Sequence, residues 1–419
     1  MTPARNTTPN SKPDTAPRSN GGLAGDVPAG DLRVQARDPL LKLIRAHQPV
    51  SRADLARISG LRPGMVSLIV DDLKADHWIT EGGSVARPRG RRPTMLTLND
   101  RLAILVADVR PKRAIVALID LPGRLLTRRI IPLASEPQRA IRSISDCMAA
   151  IQAEHPSLTI EGIGVSLPGR IDPSTQHLIF APNLDWANLD IREAFEAQTR
   201  LPVELENDAN GCLLSELWFG RMDGIRDAVL VAIAEGIGTA LLVNGQLSRG
   251  RAGMAGEFGH IQLDSNGPRC ACGQLGCWEM LGSSSAALRF YDEHRHETGA
   301  PAVSTMDSLL HLAEEGDPPA LAALTRQAEY IGKGLRLLVA ALSPEVILVT
   351  GEITSLWGIF APVIEKHMSA NMLAQVLPRL VPATDAESAR LRGAAAVLLQ
   401  RVSSQRNSRL PTNGRTVAS

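Results

Sequence analysis

The sequence predicts an α/β protein made of an N-terminal winged helix-turn-helix domain and a larger body of two α/β lobes with a cleft between them. Two short helical patterns joined by a Gly-containing turn precede a hairpin with a basic tip. Beyond Asn99, clusters of short strands followed by helices occur twice, which is typical of two lobes. The length of 419 residues and the hydrophobic fraction of 44% are sufficient for a large core.

Composition and charge exclude several classes of protein. Five cysteines are too few for a disulfide scaffold, and the sequence has no run of 18 apolar residues that would predict a membrane span. The N-terminus lacks the apolar stretch of a signal peptide, so we predict a cytoplasmic protein without a membrane partner. Residues 1–100 carry 15 Lys/Arg against 10 Asp/Glu, whereas the remainder carries 30 against 34. This basic head favours nucleic-acid contact at the N-terminus.

Changes of composition along the chain predict four segments. Residues 1–33 are rich in Pro, Gly, Asn, Thr and Ser, and are predicted to be a disordered tail. Residues 34–98 form the predicted DNA-binding domain, and residues 99–402 form the two-lobed body. Residues 403–419 are predicted to be a second loose tail.

The predicted DNA-binding domain begins with three helices. Ser51 is placed to cap the backbone amide of Asp54 at the start of the second helix, and Gly60 ends that helix. Pro63 suits the first turn of the third helix, because its missing N–H would be unpaired there anyway. The apolar spacing predicts the buried side chains, which are Leu40, Leu41 and Ile44 in the first helix, Leu55, Ala56 and Ile58 in the second, and Val66, Ile69, Val70 and Leu73 in the third.

A basic wing is predicted after the third helix. Two short strand patterns flank residues 87–93, which contain four arginines and are predicted to be the tip of a hairpin. The alternative is a solvated charged loop between two strands. The third helix is the candidate recognition helix, although its outward face offers few hydrogen-bonding readers of bases. The candidate DNA contacts of the whole domain are Arg52, Arg62, Met65, Ser67, Arg87, Arg89, Arg91 and Arg92.

The two-lobed body is predicted from its strand and helix patterns. Three short strands are expected at residues 104–109, 114–120 and 125–132. A helix from about residue 138 to 154 and a buried strand at 162–166 follow. A similar series of strands recurs at residues 228–234 and 239–244, which indicates the second lobe.

The most specific local pattern predicts a metal site. Three thiolates and one imidazole make a closed tetrahedral set, which is the ligand count of a structural zinc. An iron–sulfur cluster fits less well because a fourth nearby cysteine is absent. The remaining alternative is a group of unrelated buried thiols. The candidate ligands are His260, Cys270, Cys272 and Cys277.

A second group of residues is rich in carboxylates and carboxamides. It comprises residues 206–210, residues 256–260 and Glu279. Each of these residues, taken singly, is typical of a surface or a helix cap. Their convergence in a cleft would suit a polyhydroxylated ligand, because each group can form hydrogen bonds with hydroxyls.

Five motifs, in this order and spacing, resemble the ROK family (repressors, open reading frames and kinases). The resemblance runs from about residue 36 to residue 400, and it implies a two-lobed actin-like, sugar-kinase-like (ribonuclease H-like) domain. The family divides into sugar kinases and transcriptional regulators, and the regulators carry an additional N-terminal winged helix. The motifs are Leu167-Pro168-Gly169, Pro182-Asn183-Leu184, Glu206-Asn207-Asp208-Ala209-Asn210, Gly256-Glu257-Phe258-Gly259-His260 and Cys270-Ala271-Cys272-Gly273-Gln274-Leu275-Gly276-Cys277-Trp278-Glu279.

The resemblance also implies roles for individual residues. Asp208 matches the carboxylate that acts as general base in the kinases. His260 matches a histidine that binds zinc through one ring nitrogen and a sugar hydroxyl through the other. The implied sugar contacts are Asn183, Asn207, Asp208, Glu257, His260 and Glu279.

The nucleotide-binding loops of the kinases are altered in this sequence. The first phosphate loop, Asp-x-Gly-Gly-Thr-Lys in the kinases, reads Asp108-Val109-Arg110-Pro111-Lys112, and Pro111 has no N–H to donate to a phosphate. The second loop has lost three glycines, and Glu235 places a negative charge where a phosphate would lie. The adenosine loop reads Val349-Thr350-Gly351-Glu352 instead of a glycine run.

These differences favour a sugar-responsive regulator, most simply a repressor of carbohydrate genes and not an enzyme. The expected partners are operator DNA with an inverted repeat, a monosaccharide or sugar-phosphate effector, and a second copy of the chain in a homodimer or homotetramer. One alternative is an ATP-dependent sugar kinase with a DNA-binding appendage. Another is a zinc-stabilised module whose cleft is vestigial.

Overall fold

The computed structural model describes residues 29–84, 93–220, 222, 224–299, 301–370, 376–383 and 386–408. A small N-terminal domain is followed by two α/β lobes, and the last helix packs against the first lobe. The order of these parts agrees with the sequence prediction. Within the described ranges, none of the helices combines the length and apolar character that crossing a membrane requires.

The boundaries of the two predicted tails differ from the structure. The first helix already begins at Ala29, and the last helix continues to Ser408, so residues 29–33 and 403–408 are helical. At the N-terminal end, ion pairs explain the difference. Arg33 pairs with Asp72 of the third helix, and Arg37, one turn later, pairs with Asp76. Such ion pairs produce no periodic pattern of apolar residues, so the sequence pattern does not reveal this part of the helix. Residues 1–28 and 409–419 lie outside the described residues.

The N-terminal domain contains three helices and a three-stranded antiparallel sheet. The third strand pairs with both the first and the second, so it lies in the middle of the sheet. The tip of the hairpin between the second and third strands lies outside the described residues. The elements are α1 Ala29–His47, β1 Val50–Ser51, α2 Arg52–Ser59, α3 Pro63–Ala75, β2 Ile79–Ser84 and β3 Thr94–Leu98.

Local signals at the helix ends are confirmed. Ser51 Oγ accepts a hydrogen bond from the Asp54 amide at 3.2 Å, and Gly60 adopts the left-handed conformation (φ 70°) that ends α2. Pro63 occupies the first residue of α3. The predicted burial is wrong at Ile58, which is 37% exposed because α2 is short and only Leu55 of its residues is fully buried.

The first lobe is a mixed five-stranded sheet with helices on its faces. The strand order is β11-β7-β4-β5-β6, in which β4, β5 and β6 are antiparallel and β4, β7 and β11 are parallel. The central strand β4 is buried along almost its whole length, whereas the edge strand β6 alternates between half-buried and exposed residues. The elements are β4 Leu102–Arg110, β5 Arg113–Asp120, β6 Leu125–Pro132, α4 Pro137–Glu154, β7 Thr159–Leu167, β8 Arg170–Ile171, β9 Leu178–Ala181, β10 Trp186–Leu189, α5 Ile191–Thr199, β11 Val203–Asn207 and α6 Asp208–Phe219.

The second lobe repeats this sheet pattern. Its strand order is β14-β13-β12-β15-β16, again with three antiparallel strands and two further strands that run parallel. The final helix, α12, then packs against α6 and β7 of the first lobe. The elements are β12 Ala228–Ile233, β13 Ile237–Val243, β14 Gln246–Ser248, α7 Trp278–Gly282, α8 Ser284–Thr298, α9 Met306–Glu314, α10 Pro318–Leu342, β15 Val346–Gly351, α11 Trp357–Ser369, β16 Arg379–Pro382 and α12 Ala386–Ser408.

Candidate functional site

A cleft of about 1600 Å³ separates the two lobes. Strands of both sheets end at its floor, which is where ligands bind in open α/β sheets. The structure brings all six residues of the predicted sugar set to the walls of this one cleft. The first lobe contributes Asn183, Asn207 and Asp208, and the second contributes Glu257, His260 and Glu279.

Asn207 and Asp208 lie at the junction of β11 and α6. Asn207 caps α6, since its Oδ1 accepts hydrogen bonds from the amides of Ala209 (2.9 Å) and Asn210 (3.2 Å). Its Nδ2 donates to the carbonyl of Gly169 at 3.0 Å. The side-chain amide therefore already has structural partners on both sides. Asn207 fixes the position of Asp208, the first residue of the helix.

Asp208 lies deep in the cleft with 25% of its side chain exposed. Burial raises the pKa of its carboxyl group, Arg390 opposes that shift, and Asp108 adds to it. The Oδ2 atom is 3.7 Å from Nη2 of Arg390, a residue of α12. Asp208 is thus a half-buried acceptor, and its cationic neighbour Arg390 belongs to the last helix of the chain.

The loop that carries Glu257 and His260 packs tightly against β13. Gly256 has a φ of 95°, and its carbonyl accepts a hydrogen bond from Thr239 Oγ1 at 2.5 Å. Gly259 is buried against the backbone of β13, where a Cβ atom would lie 2.2 Å from the Ile237 carbonyl oxygen. Glycine is required at both positions for different reasons, namely conformation and space.

His260 lies between two carboxylates. Its Nδ1 is 3.2 Å from Glu279 Oε1, and its Nε2 is 3.8 Å from Glu257 Oε2. The hydrogen bond with Glu279 raises the pKa of His260 to about 9. Bound metal would displace this proton, because a histidine ligand must present a neutral nitrogen. One ring nitrogen thus faces the cysteines, and the other faces Glu257 and the cleft.

The four predicted metal ligands come together. Their ligand atoms all lie within 4.8 Å of one another. The Sγ atoms of Cys272 and Cys277 are 3.6 Å apart, and Cys270 Sγ is 3.5 Å from His260 Nδ1. A tetrahedral centre with Zn–S bonds of about 2.3 Å has edges of roughly 3.8 Å. The donor set and its spacing therefore fit a tetrahedral metal ion, which this group could hold.

Glu279 connects the cysteine cluster to the cleft. Cys270 Sγ lies 2.9 Å from the same Glu279 oxygen that contacts His260. A Cβ atom at Gly236 would lie 2.9 Å from the other oxygen of Glu279, so glycine leaves space for the carboxylate there. The three predicted sugar residues of the second lobe are therefore connected to the candidate metal ligands.

The part of the cleft beyond Asp208 and Arg390 has a different lining. At the altered first loop, Arg110 Nε donates to Asp108 Oδ2 at 2.5 Å, and Asp108 is only 1% exposed. Lys112 follows with a positive φ of 68°. Glu235 lines the same end, and Glu352 Oε2 accepts a hydrogen bond from Ser284 Oγ at 2.9 Å. Side chains of the protein therefore bind one another here.

Sequence reasoning missed two cationic residues of the cleft, Arg249 and Arg390. Arg249, which follows β14, donates from Nε (2.8 Å) and Nη2 (2.6 Å) to Glu206 Oε2 in the first lobe. This pair bridges the two lobes, and the other oxygen of Glu206 accepts from Asn210 Nδ2 at 2.9 Å. Glu206 is part of a recognised motif, but nothing local in the sequence marks either arginine.

The structure distinguishes among the candidate DNA contacts. Arg62 is exposed at the start of α3, and Met65 and Ser67 are half-buried on the same helix. Arg52 is engaged within the domain, because its Nη2 donates to Asp71 (2.7 Å) and to Glu81 (2.8 Å). Arg52 therefore stays a candidate DNA contact whose guanidinium already has two acidic partners within the domain. The four wing arginines, Arg87, Arg89, Arg91 and Arg92, lie outside the described residues.

Comparison with known proteins identifies relatives of both functional types. The xylose repressor of Bacillus subtilis is 29% identical over 366 residues, which cover 86% of this chain and 94% of the repressor. A solved ROK family transcriptional regulator, described as a homologue of the E. coli MLC protein, has a TM-score of 0.75 and 27% identity, and covers 90% of this chain and 98% of its own.

A ROK family glucokinase from Streptomyces griseus, solved in complex with glucose and AMPPNP, has a TM-score of 0.64 and 26% identity. It covers 71% of this chain and 99% of the glucokinase. These structures confirm the two-lobed sugar-kinase-like fold. The family model described as the ROK family matches residues 109–401. Since that match spans well over half of the sequence, the chain belongs to the ROK family.

Proposed function

We propose that this chain is a sugar-responsive DNA-binding transcriptional repressor. The N-terminal domain binds operator DNA, and the cleft between the lobes binds a sugar effector. Two relatives support the proposal, the xylose repressor and the solved regulator. Their matches cover 86% and 90% of this chain, which is more than the two lobes alone occupy. The glucokinase matches a smaller share of the chain.

One observation carries the choice of a sensor over a kinase: Arg110 occupies the first phosphate loop and pairs with buried Asp108. A phosphate loop works by presenting free backbone amides to the ligand. Pro111 lacks such an amide, and Glu235 adds a negative charge at the same end of the cleft. The six predicted sugar residues, by contrast, all line the same cleft. The geometry favours binding a sugar without transferring phosphate to it.

The sugar end of the cleft supplies mainly hydrogen-bond acceptors. In the proposed complex, Asp208, Glu257 and Glu279 accept hydrogen bonds from sugar hydroxyls. His260 presents Nε2 to the sugar, Asn183 adds an amide, and Asn207 acts chiefly by positioning Asp208. This set suits a monosaccharide or a sugar phosphate, and Asp208 is here an acceptor without a catalytic role.

The cluster of His260 and three cysteines is proposed to hold a structural zinc ion. Four ligands leave no open coordination position, which is typical of structural sites. When bound, the ion supplies a fixed positive charge that keeps the thiolates together and orients the imidazole. Glu279 contacts both Cys270 and His260, so the bound ion would also fix the position of this carboxylate at the sugar end of the cleft.

DNA recognition is assigned to α3 and to the wing. Arg62, Met65 and Ser67 face the major groove in this proposal, and the four wing arginines contact phosphates or the minor groove. Arg52 acts indirectly, since its ion pairs hold α2, α3 and β2 together. One such domain contacts few base pairs, so a homodimer or homotetramer on an inverted repeat is expected.

Operator binding with and without sugar tests the proposal. Specific DNA is first selected from a random-sequence library with the purified chain. Its affinity is then measured by fluorescence anisotropy with pentoses, hexoses, N-acetylhexosamines and their phosphates. At least one compound should change operator affinity by about tenfold, a typical coupling between two sites. Arg62→Ala serves as the control and should weaken operator binding with sugar affinity unchanged. A chain that selects no DNA sequence, or that no sugar affects, contradicts the proposal.

A further inference from the structure

Two helices, α6 and α12, extend from the cleft to the DNA-binding domain. They cross where Gly211 meets Gly393, and a Cβ atom at Gly393 would lie 2.0 Å from the Gly211 carbonyl oxygen. Backbone therefore contacts backbone, with no side chain interposed. Because the two backbones are in direct contact, a displacement of one helix must be accommodated by the other.

At the cleft, each helix presents one charged residue. Asp208 begins α6, and Arg390 lies near the start of α12, with 3.7 Å between Oδ2 and Nη2. Both line the cleft. Asp208 belongs to the proposed sugar site, so this ion pair is the contact between the helices that a bound sugar would disturb.

At their far ends, the same helices contact α1 of the DNA-binding domain. Lys42 Nζ lies 5.0 Å from the ring centre of Trp218, and the guanidinium carbon of Arg45 lies 5.7 Å from that of Phe219. Arg45 Nη1 also donates to the Phe219 carbonyl at 3.5 Å. Leu399 of α12 belongs to the same buried apolar cluster as Leu41 and Trp218.

Arg390 also has a second acidic neighbour. Asp108 and Asp208 both attract its guanidinium and raise the pKa of Arg390 further above its ordinary value. Asp108 uses Oδ2 to accept from Arg110, while its Oδ1 is buried without a hydrogen-bond partner among the described residues. Arg390 therefore has an alternative carboxylate nearby if Asp208 is taken by another ligand.

We propose that Arg390 is the positioning residue through which sugar occupancy of Asp208 reaches the DNA-binding domain. Without sugar, Arg390 holds the cleft ends of α6 and α12 together. A sugar hydroxyl that binds Asp208 competes for this carboxylate, and Arg390 shifts toward Asp108. The helices then pivot at Gly211 and Gly393, which changes how their far ends support α1. This inference rests on the proposed function and adds to it the residue that couples the two sites.

The variant Arg390→Gln tests the coupling, because glutamine keeps hydrogen-bonding ability and removes the charge. Sugar affinity, measured by calorimetry, should not fall and should rise by up to about tenfold, because the sugar ligands remain and Arg390 no longer competes with the sugar for Asp208. The effect of sugar on operator affinity should fall from about tenfold to less than about twofold. The matched control is Arg392→Gln on the same helix, whose Nε donates to the Gly123 carbonyl at 2.9 Å. That control should retain wild-type coupling.

A second measurement does not depend on how the variant folds. Hydrogen exchange of the wild-type chain should change in α1 on sugar binding, while α4, which lies away from both helices, should not change. Full coupling in a folded Arg390→Gln variant, or exchange in α1 that sugar leaves unaltered, contradicts the role of Arg390. A wild-type chain whose operator affinity no sugar changes contradicts instead the proposed function itself.

Discussion

The two ends of the cleft differ in how their polar groups are used. At the sugar end, carboxylates from both lobes and one imidazole line a common space. The imidazole, His260, also belongs to the candidate metal-binding cluster with the three cysteines. At the nucleotide end, Arg110 binds Asp108, and Glu352 accepts a hydrogen bond from Ser284. The carboxylates of the sugar end thus face a shared space, whereas Arg110 and Glu352 are paired with other side chains of the protein.

We infer from this difference that side chains, rather than the backbone, distinguish the proposed sensor from the kinases of this family. The glucokinase that holds both glucose and AMPPNP has a similar two-lobed backbone. The proposed loss of nucleotide binding rests on three short segments, at residues 108–112, 234–240 and 349–352. In the proposed function, a kinase-like fold serves as a sensor and retains its sugar-binding residues.

The largest effect is expected from loss of the metal, which should disrupt the sugar end alone. Cys272 is exposed, so Cys272→Ser removes a ligand with little loss of packing. Metal content should fall from about one zinc per chain to near zero, because three ligands hold the ion far less tightly. Sugar affinity should fall at least about tenfold as His260 and Glu279 lose their support. Elemental analysis and calorimetry measure both quantities.

The matched control is Cys147→Ser, because Cys147 lies on α4 outside the cluster. It should keep both the metal and the sugar affinity. A wild-type chain purified without chelator that contains no zinc would contradict the assignment of the cluster.

A smaller effect on sugar affinity is expected from Asp208→Asn. Asparagine keeps one acceptor but replaces the other oxygen with a donor. The loss of one hydrogen bond to a charged group is expected to cost about 1–3 kcal/mol, a roughly 5- to 150-fold loss in sugar affinity. Operator affinity without sugar should remain within about threefold of wild type, since DNA contacts lie on another domain. Asp146→Asn, on the exposed face of α4, is the control for the same chemical change. Unchanged sugar affinity in Asp208→Asn would remove Asp208 from the site.

The smallest effect on sugar binding is expected from Arg110→Met at the nucleotide end. Sugar affinity should rise by less than about threefold, because Arg110 is not among the proposed sugar ligands but its loss frees Asp108 to attract Arg390 away from Asp208. Stability should fall by about 1–3 kcal/mol, since buried Asp108 loses its partner. Urea unfolding measures the change in stability, and calorimetry measures the change in sugar affinity. A large loss of sugar affinity would show that the two ends are not independent.

Local signals account for what the sequence predicts well. The cap at Ser51, the turn at Gly60 and the helix start at Pro63 are each specified by neighbouring residues, and the structure confirms them. The repeated strand series predicts the two lobes, because the spacing of apolar residues and the turn residues are also local features of the sequence. The Cys₃His group is likewise recognisable, since its three cysteines lie within eight residues.

Contacts between distant parts of the chain are not predictable in this way. Arg390 meets Asp208 only because α12 returns to the first lobe, and Arg249 meets Glu206 only across the cleft. The start of α1 depends on ion pairs to α3, which leave no hydrophobic period. The two acidic partners of Arg52, which lie on α3 and β2, are likewise distant from it in the sequence.

The most direct test of the central claim measures ADP release by the wild-type chain with ATP, Mg²⁺ and the sugar that alters operator binding. The sugar end should bind the sugar in the same sample, and calorimetry with AMPPNP should detect no nucleotide binding. We predict no sugar-dependent ADP release above background. Sugar-dependent ADP release that Asp208→Asn abolishes would contradict the account, because Asp208 would then act as a general base in a working kinase.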